Sequence, residues 1–143
     1  MIAVEVATSV DEALCTAVAA LLPQLSRSAA PPSRQVLEQV LANPGTTLFV
    51  ARDEECIVGM LTLVTFHILT GVRAWIEDVV VDEAARGSGA GAALVQAALE
   101  RSAAMGARTV DLTSRPERQA ANRLYERLGF EMRQTNVYRY SFE

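Results

Sequence analysis

The sequence has little of what disulfide-stapled, metal-bound or membrane-spanning chains depend on. Its 143 residues include two cysteines, Cys15 and Cys56, and one histidine, His67. Thiols this far apart are unlike the dense frameworks of small secreted domains, so both are expected reduced. A single histidine without clustered cysteines leaves a zinc ion almost no ligands, so no metal is expected. No apolar run approaches the roughly 20 residues that cross a bilayer. The first ten residues carry Glu5, and Val79, Val80 and Val81 are bracketed by acids. The N-terminus lacks a basic stretch followed by an apolar core and a small-residue cleavage site. These absences predict no signal peptide, no membrane partner and a cytoplasmic location.

Net positive charge is also missing. The formal charge is −4, which gives no overall attraction to a polyphosphate backbone and argues against a nucleic-acid partner. Arginines do gather late, at Arg108, Arg115, Arg118, Arg123, Arg127, Arg133 and Arg139, but Glu117, Glu126 and Glu131 interleave with them. They are read as a solvated, ion-paired face. What the chain does have is apolar material: 50% hydrophobic and 21% charged residues can fill the core of one domain over 1–143.

Residues 1–8 read as a first strand. Ser9 and Glu12 have capping-box spacing for a helix whose stripe is Leu14, Val18, Leu21 and Leu25. After the proline-broken stretch 26–32, Ser33 caps a short second helix through Leu41. Three strands are predicted at 46–52, 56–70 and 74–81, joined by turns at 53–55 and 71–73, which implies an antiparallel meander. A loop with Gly87, Gly89 and Gly91 leads into a helix burying Leu94, Val95, Ala98, Leu99 and Met105, closed by Gly106. A short strand at 108–113 follows, and then a helix with Pro116 in its first turn and Ala121, Leu124, Tyr125 and Leu128 on one face. Gly129 ends it before a strand-like segment 130–142, whose apolar, aromatic residues suit pairing across a homodimer. The predicted fold is mixed α/β in the order β-α-α-β-β-β-α-β-α-β, with about four helices flanking a mostly antiparallel sheet.

The glycine loop is the most informative segment. Residues without Cβ let backbone N–H groups approach an anion, and the following helix adds its positive end, so the loop suits a phosphate. A Walker loop would need Lys and Ser or Thr after its last glycine, where Ala92 and Ala93 stand. A dinucleotide fingerprint would need two residues between its second and third glycines, where only Ala90 stands. A ligand-free turn is the bland alternative.

The pattern Arg86-x-x-Gly89-x-Gly91, after an acidic-then-valine strand and before an alanine-rich helix, resembles the pyrophosphate loop of the GNAT acetyltransferases. Leu124-Tyr125-Glu126-Arg127-Leu128-Gly129-Phe130 is similar to that family's late helix-to-strand signature. The likeness covers nearly the whole chain and is sharpest from Trp75 to Phe130.

This resemblance implies an N-acetyltransferase with acetyl-CoA as cosubstrate. The main chain of Val79, Val80 and Val81 would pair with the pantetheine arm. Arg86 and the N–H groups of Gly87, Ser88, Gly89, Ala90, Gly91 and Ala92 would hold the pyrophosphate. The valines are equally suited to being plain strand core. Acyl transfer to an amine is helped by a base and an acid, because an alkylammonium with a pKa of about 10 is not nucleophilic and a departing thiolate benefits from a proton. Glu77 is the candidate base, through a water; its alternative is a surface carboxylate. Strand alternation sends Asp78 to the opposite face, so the two are not expected in one pocket. Tyr125 is the candidate acid; its alternative is a core aromatic. His67 either lines the acceptor pocket or is an ordinary satisfied histidine, and neither cysteine has an activating neighbour, which favours direct transfer.

Two positions depart from the family pattern. Ser88 stands where many members place a long basic or amide side chain. Arg118 stands seven residues before the tyrosine, where many bacterial members have Asn; Asn122, nearby but not at the equivalent place, is the candidate for that CoA contact. The acceptor surface is expected at 24–34, whose sequence carries no decodable charge pattern. A small-molecule primary amine is the expected acceptor. The alternatives are a protein N-terminus or lysine, or a non-catalytic CoA-binding module.

Overall fold

Period-two alternation and period-3.6 apolar stripes do become strands and helices along most of the chain. The computed structural model describes residues 1–28 and 30–142; Ala29, inside the predicted 26–32 connection, and Glu143 lie outside the described residues. The chain divides into two compact units, Met1–Thr113 and the segment from Ser114 onward, and each is described by itself.

The first unit runs β1 (Ile2–Val6), α1 (Glu12–Leu25), α2 (Arg34–Ala42), β2 (Thr46–Asp53), β3 (Cys56–Ile68), β4 (Gly71–Val81), a 3-10 turn (Glu83–Ala85), α3 (Ala90–Ala104) and β5 (Ala107–Asp111). The five strands form one sheet in the order β1-β2-β3-β4-β5. The first four are antiparallel neighbours and β5 lies parallel to β4. That last pairing needs a crossover, which α3 supplies.

Leu14, Val18 and Leu21 of α1 and Leu37 of α2 pack in one core cluster with Leu48, Val50, Met60 and Val80 of the sheet. The alternate residues Phe49, Ala51, Leu61 and Leu63 are buried on the other face, where α3 brings the fully buried Leu94, Val95 and Ala98. The sheet is therefore the middle layer, which is why β2 carries an unbroken buried run from Thr47 to Ala51.

Local details differ from the sequence reading for identifiable reasons. Helix α1 is capped by Asp11, not Ser9: its carboxylate accepts the Leu14 N–H at 2.8 Å. A carboxylate two residues later satisfies the same leading donors at better range. Ser33 does cap α2, accepting from Val36 N–H at 3.2 Å. Gly71 opens β4 instead of sitting in the turn. Met105, expected on the buried side, caps the end of α3 and is 42% exposed, while Ser102 is buried. Ser102 lies four residues after Ala98 and satisfies its hydroxyl by donating to the Ala98 carbonyl at 2.7 Å.

In the second unit, α4 (Gln119–Arg127) starts later than predicted. Pro116 lies ahead of it, in a turn closed by the Arg118 N–H donating to Arg115 O at 3.0 Å, a position for which its fixed φ is suited. Gly129, at φ 101°, ends α4, and the Phe130 N–H returns to Tyr125 O at 3.0 Å. Residues 130–142 form no strand among the described residues, contrary to the predicted final element. A strand exists only through ladder bonds to a neighbour, and none is present there. Met132, Val137, Tyr138, Tyr140 and Phe142 are exposed accordingly. The late arginines are exposed as expected, but no ion pair among the described residues includes them.

Candidate active site

Strand β4 changes character halfway along. Its pairing with β5 spans only Val72 to Trp75, opposite Ala107 to Asp111. Beyond Trp75, β4 keeps β3 on one side, through Val80 opposite Met60 and Val81 opposite Gly59, and has no strand on the other among the described residues. The main chain of Val79, Val80 and Val81 thus presents an unladdered edge. Val80 fills core, while Val79 and Val81 are half-buried.

A bulge lies in the same stretch. Thr62 pairs with Glu77 and Met60 with Val80, so Leu61 alone faces both Asp78 and Val79. Asp78 takes a left-handed φ of 53°, a conformation that Asp tolerates better than most residues. The extra residue resets the alternation. Trp75 opposite Val64, Glu77 opposite Thr62 and Val80 opposite Met60 share one sheet face, the face that packs α1 and α2.

At this bulge Asp78 shares Leu61 with Val79, next to the Glu77–Thr62 rung, and lies close enough to Glu77 to feel its charge. The Asp78 residue is exposed overall, yet its carboxyl is partly desolvated. That desolvation first, and then the Glu77 carboxylate beside it, raise its pKa above the ordinary 3.8. The exposed Glu77 carboxylate accepts the Trp75 indole N–H at 2.6 Å.

The glycine loop follows directly. Asp82 accepts the Ala84 N–H and caps the 3-10 turn, and the chain then passes through Gly87 at φ 85° and Gly89 at φ 91° into α3. A Cβ on either glycine would meet nothing within 4 Å, so both are required by backbone conformation and both border open space. The N–H groups of Ala90, Gly91 and Ala92 precede the first intrahelical bond, from Ala93 N–H to Gly89 O. Those leading donors and the open space fit a diphosphate. Three backbone donors of this stretch are already engaged within the protein: Ser88 N–H with Ala85 O at 3.1 Å, Ala90 N–H with Ser88 Oγ at 3.4 Å, and Arg86 N–H with Glu83 O at 3.3 Å. Arg86 therefore has its side chain to offer. Two concavities of the first unit lie elsewhere, one bordered by Glu5, Asp11 and Arg52 and the other by Thr16, Ala20 and Cys56. A strand edge beside a loop is an open slot and encloses no volume, so the chemistry of the loop outweighs those hollows.

Within the second unit, Tyr125 is the buried residue of α4, its ring 5.8 Å from that of Phe130 in an edge-on arrangement. Burial raises its pKa above 10.0, with Arg118 pulling the other way, so the hydroxyl is protonated at neutral pH. Asn122 donates from Nδ2 to Arg115 O at 3.0 Å, which holds the turn before α4. His67 is exposed near the β3–β4 turn, five residues along β3 from the partner of Glu77, or about 17 Å at the usual strand rise. Cys15 and Cys56 are free thiols. Among the described residues no cluster of three potential metal ligands occurs. Among those residues no helix is long and apolar enough to cross a membrane.

The fourth and fifth strands of a layered α/β sheet thus part beside a glycine-led helix. The comparisons give the family. The model of the acetyltransferase (GNAT) family matches residues 16–130, and the chain belongs to that family. A putative acetyltransferase from Agrobacterium tumefaciens str. C58 superposes with a TM-score of 0.86 at 27% identity, over 97% of this chain and 99% of that one. A structure described as a transcriptional regulator from Bacillus halodurans C-125 gives 0.82 at 30% identity, over 99% and 100%. An aminoglycoside acetyltransferase from an uncultured soil metagenomic sample, at 20% identity and a TM-score of 0.87 over 99% and 97%, shares the fold. No curated protein gives a significant match.

Proposed function

We propose that the protein transfers an acetyl group from acetyl-CoA directly to a primary amine of a small molecule. The observation that carries this reading is the continuity of the unladdered edge of Val79, Val80 and Val81 with the open, left-handed glycine loop and the leading N–H groups of α3. An extended arm ending in a diphosphate needs that succession: strand-like hydrogen bonds first, then convergent donors at a helix N-terminus.

Acetyl-CoA supplies the thioester carbonyl. In this reading Glu77 takes one proton from the alkylammonium, directly or through a water, and frees the nitrogen lone pair to bond to the carbonyl carbon. As the carbon–sulfur bond breaks, Tyr125 gives its hydroxyl proton to the sulfur. Tyr125 recovers a proton from the nitrogen, leaving the amide and free CoA thiol, and the proton on Glu77 passes to solvent. The raised pKa of Tyr125 supports the donor role by keeping the proton in place until the thiolate develops.

The test is thiol release from acetyl-CoA across pooled small amines and peptides. Turnover with a small amine that falls by about 10²-fold or more in both Glu77→Gln and Tyr125→Phe supports the proposal. Turnover with peptides alone makes the protein a protein acetyltransferase. Binding of acetyl-CoA without turnover in any pool makes it a binding module.

A further inference from the structure

We infer that Trp75 is a positioning residue for Glu77, tethering one carboxylate oxygen through its indole N–H and leaving the other to receive the substrate proton. The inference rests on Glu77 being the base. Two residues apart on β4 and on the same sheet face, Trp75 and Glu77 are joined by a 2.6 Å hydrogen bond from Nε1 to Oε2. That length is in the range of short, charge-assisted bonds.

The tether begins on firm ground. Trp75, half-buried, sits on the last rung that β4 shares with β5, opposite Asp111, and also pairs with Val64 of β3. Glu77 lies two residues beyond the last rung that β4 shares with β5 and immediately before the left-handed Asp78. No other hydrogen bond holds its side chain among the described residues. An exposed glutamate in that position would sample many rotamers; the indole bond selects one and removes Oε2 from competition for the ammonium. Oε1 then accepts the proton, and the N–H donor stays on the indole throughout.

The chain contains one tryptophan, so its emission reports this contact without reference to catalysis. The experiment combines steady-state kinetics, using acetyl-CoA and an amine turned over by the native enzyme, with emission spectra of the free protein, for Trp75→Phe, Glu77→Gln and the double variant. Trp75→Phe should lower kcat about tenfold, the scale of one hydrogen bond to a charged group, with the KM for acetyl-CoA unchanged. Glu77→Gln should alter the tryptophan emission of the ligand-free protein. In the Glu77→Gln background, Trp75→Phe should have no further effect on kcat. Should Trp75→Phe fail to fold, a benzothienyl-alanine analogue incorporated at the single tryptophan codon keeps the ring shape and removes the N–H, with the same tenfold loss expected.

Native kcat without the indole N–H, or an equal loss in the Glu77→Gln background, overturns the positioning role while leaving Glu77 as base. Full activity in Glu77→Gln overturns the base reading and this inference with it. The emission change then shows whether the hydrogen bond itself exists.

Discussion

Gln24, in the last turn of α1, accepts the backbone N–H of Glu83 through Oε1 at 3.0 Å, tying the helix that leads into the expected acceptor surface to the turn that launches the glycine loop. Its Nε2 also reaches Asp82 Oδ1 at 3.4 Å, and Asp82 is the residue that caps that turn. Removing the amide frees the start of the loop and leaves the chemistry of β4 untouched. Gln24→Ala is expected to weaken acetyl-CoA binding by about three- to tenfold, the scale of one or two partly exposed hydrogen bonds, with little change in kcat at saturation. Titration calorimetry with acetyl-CoA checks the first part and saturation kinetics the second.

Two glycines should fail in opposite ways. At Gly89 an added Cβ meets nothing, but φ is 91°, so Gly89→Ala forces the loop toward another conformation at a cost of about 1–2 kcal/mol. The loop is exposed and will yield, so the expected loss is in acetyl-CoA affinity, about tenfold, with a small change in Tm. At Gly59 an added Cβ would lie 3.1 Å from Val80 O and 3.2 Å from Leu94 Cδ1, between the sheet and α3. Gly59→Ala should therefore lower stability by about 1–3 kcal/mol through overpacking. Thermal melts and calorimetry on both variants separate the two outcomes.

Much of this was legible because the signals are periodic or conformational. The α1 stripe of Leu14, Val18 and Leu21 is buried as its spacing predicts, and the positive φ of Gly87 and Gly89 is what a phosphate-type loop requires. What the sequence conceals is whatever breaks a period or depends on distant partners. The bulge at Asp78 has no glycine to mark it, so the reset of alternation that puts Glu77 and Val80 on one face was not legible. Whether 130–142 is a strand depends on a neighbouring edge that its own residues do not encode. The bond from Trp75 to Glu77 was within reach of the sequence: two positions two apart on a strand share a face, and an indole donor beside a carboxylate is a natural pair.

Alkaline pH should expose the burial of Tyr125. Its folded pKa lies above 10.0 because the phenolate would be desolvated, Arg118 offsetting part of this. The folded state holds that proton more tightly than the unfolded chain. The associated stability is complete below pH 10 and is lost as pH rises through the folded pKa. Tyr125→Phe removes the titrating group, so its unfolding midpoint should decline less steeply above pH 10 than that of the native protein, in denaturant titrations by circular dichroism. Equal slopes would place the hydroxyl in water.

Acid pH should do the same for Asp78, and here the sign makes the native residue a liability at neutral pH. Its folded pKa is raised above 3.8 by desolvation and by Glu77, so the folded protein prefers the protonated form. The stabilising contribution is present below pH 3.8 and is lost as pH rises through the folded pKa, which leaves an ionised carboxylate beside another at pH 7. Asparagine is a neutral isostere that tolerates the left-handed backbone as well as aspartate does. Asp78→Asn should therefore raise Tm at pH 7, and the advantage should shrink to nothing below pH 3.8. Asp78→Ala also removes the charge but places an ordinary Cβ at φ 53°, so it should melt below Asp78→Asn at every pH. Melts of the three proteins between pH 3 and 8 check both statements. A pH-independent difference between Asp78→Asn and the native protein would mean that the Asp78 carboxyl is neither desolvated nor coupled to Glu77.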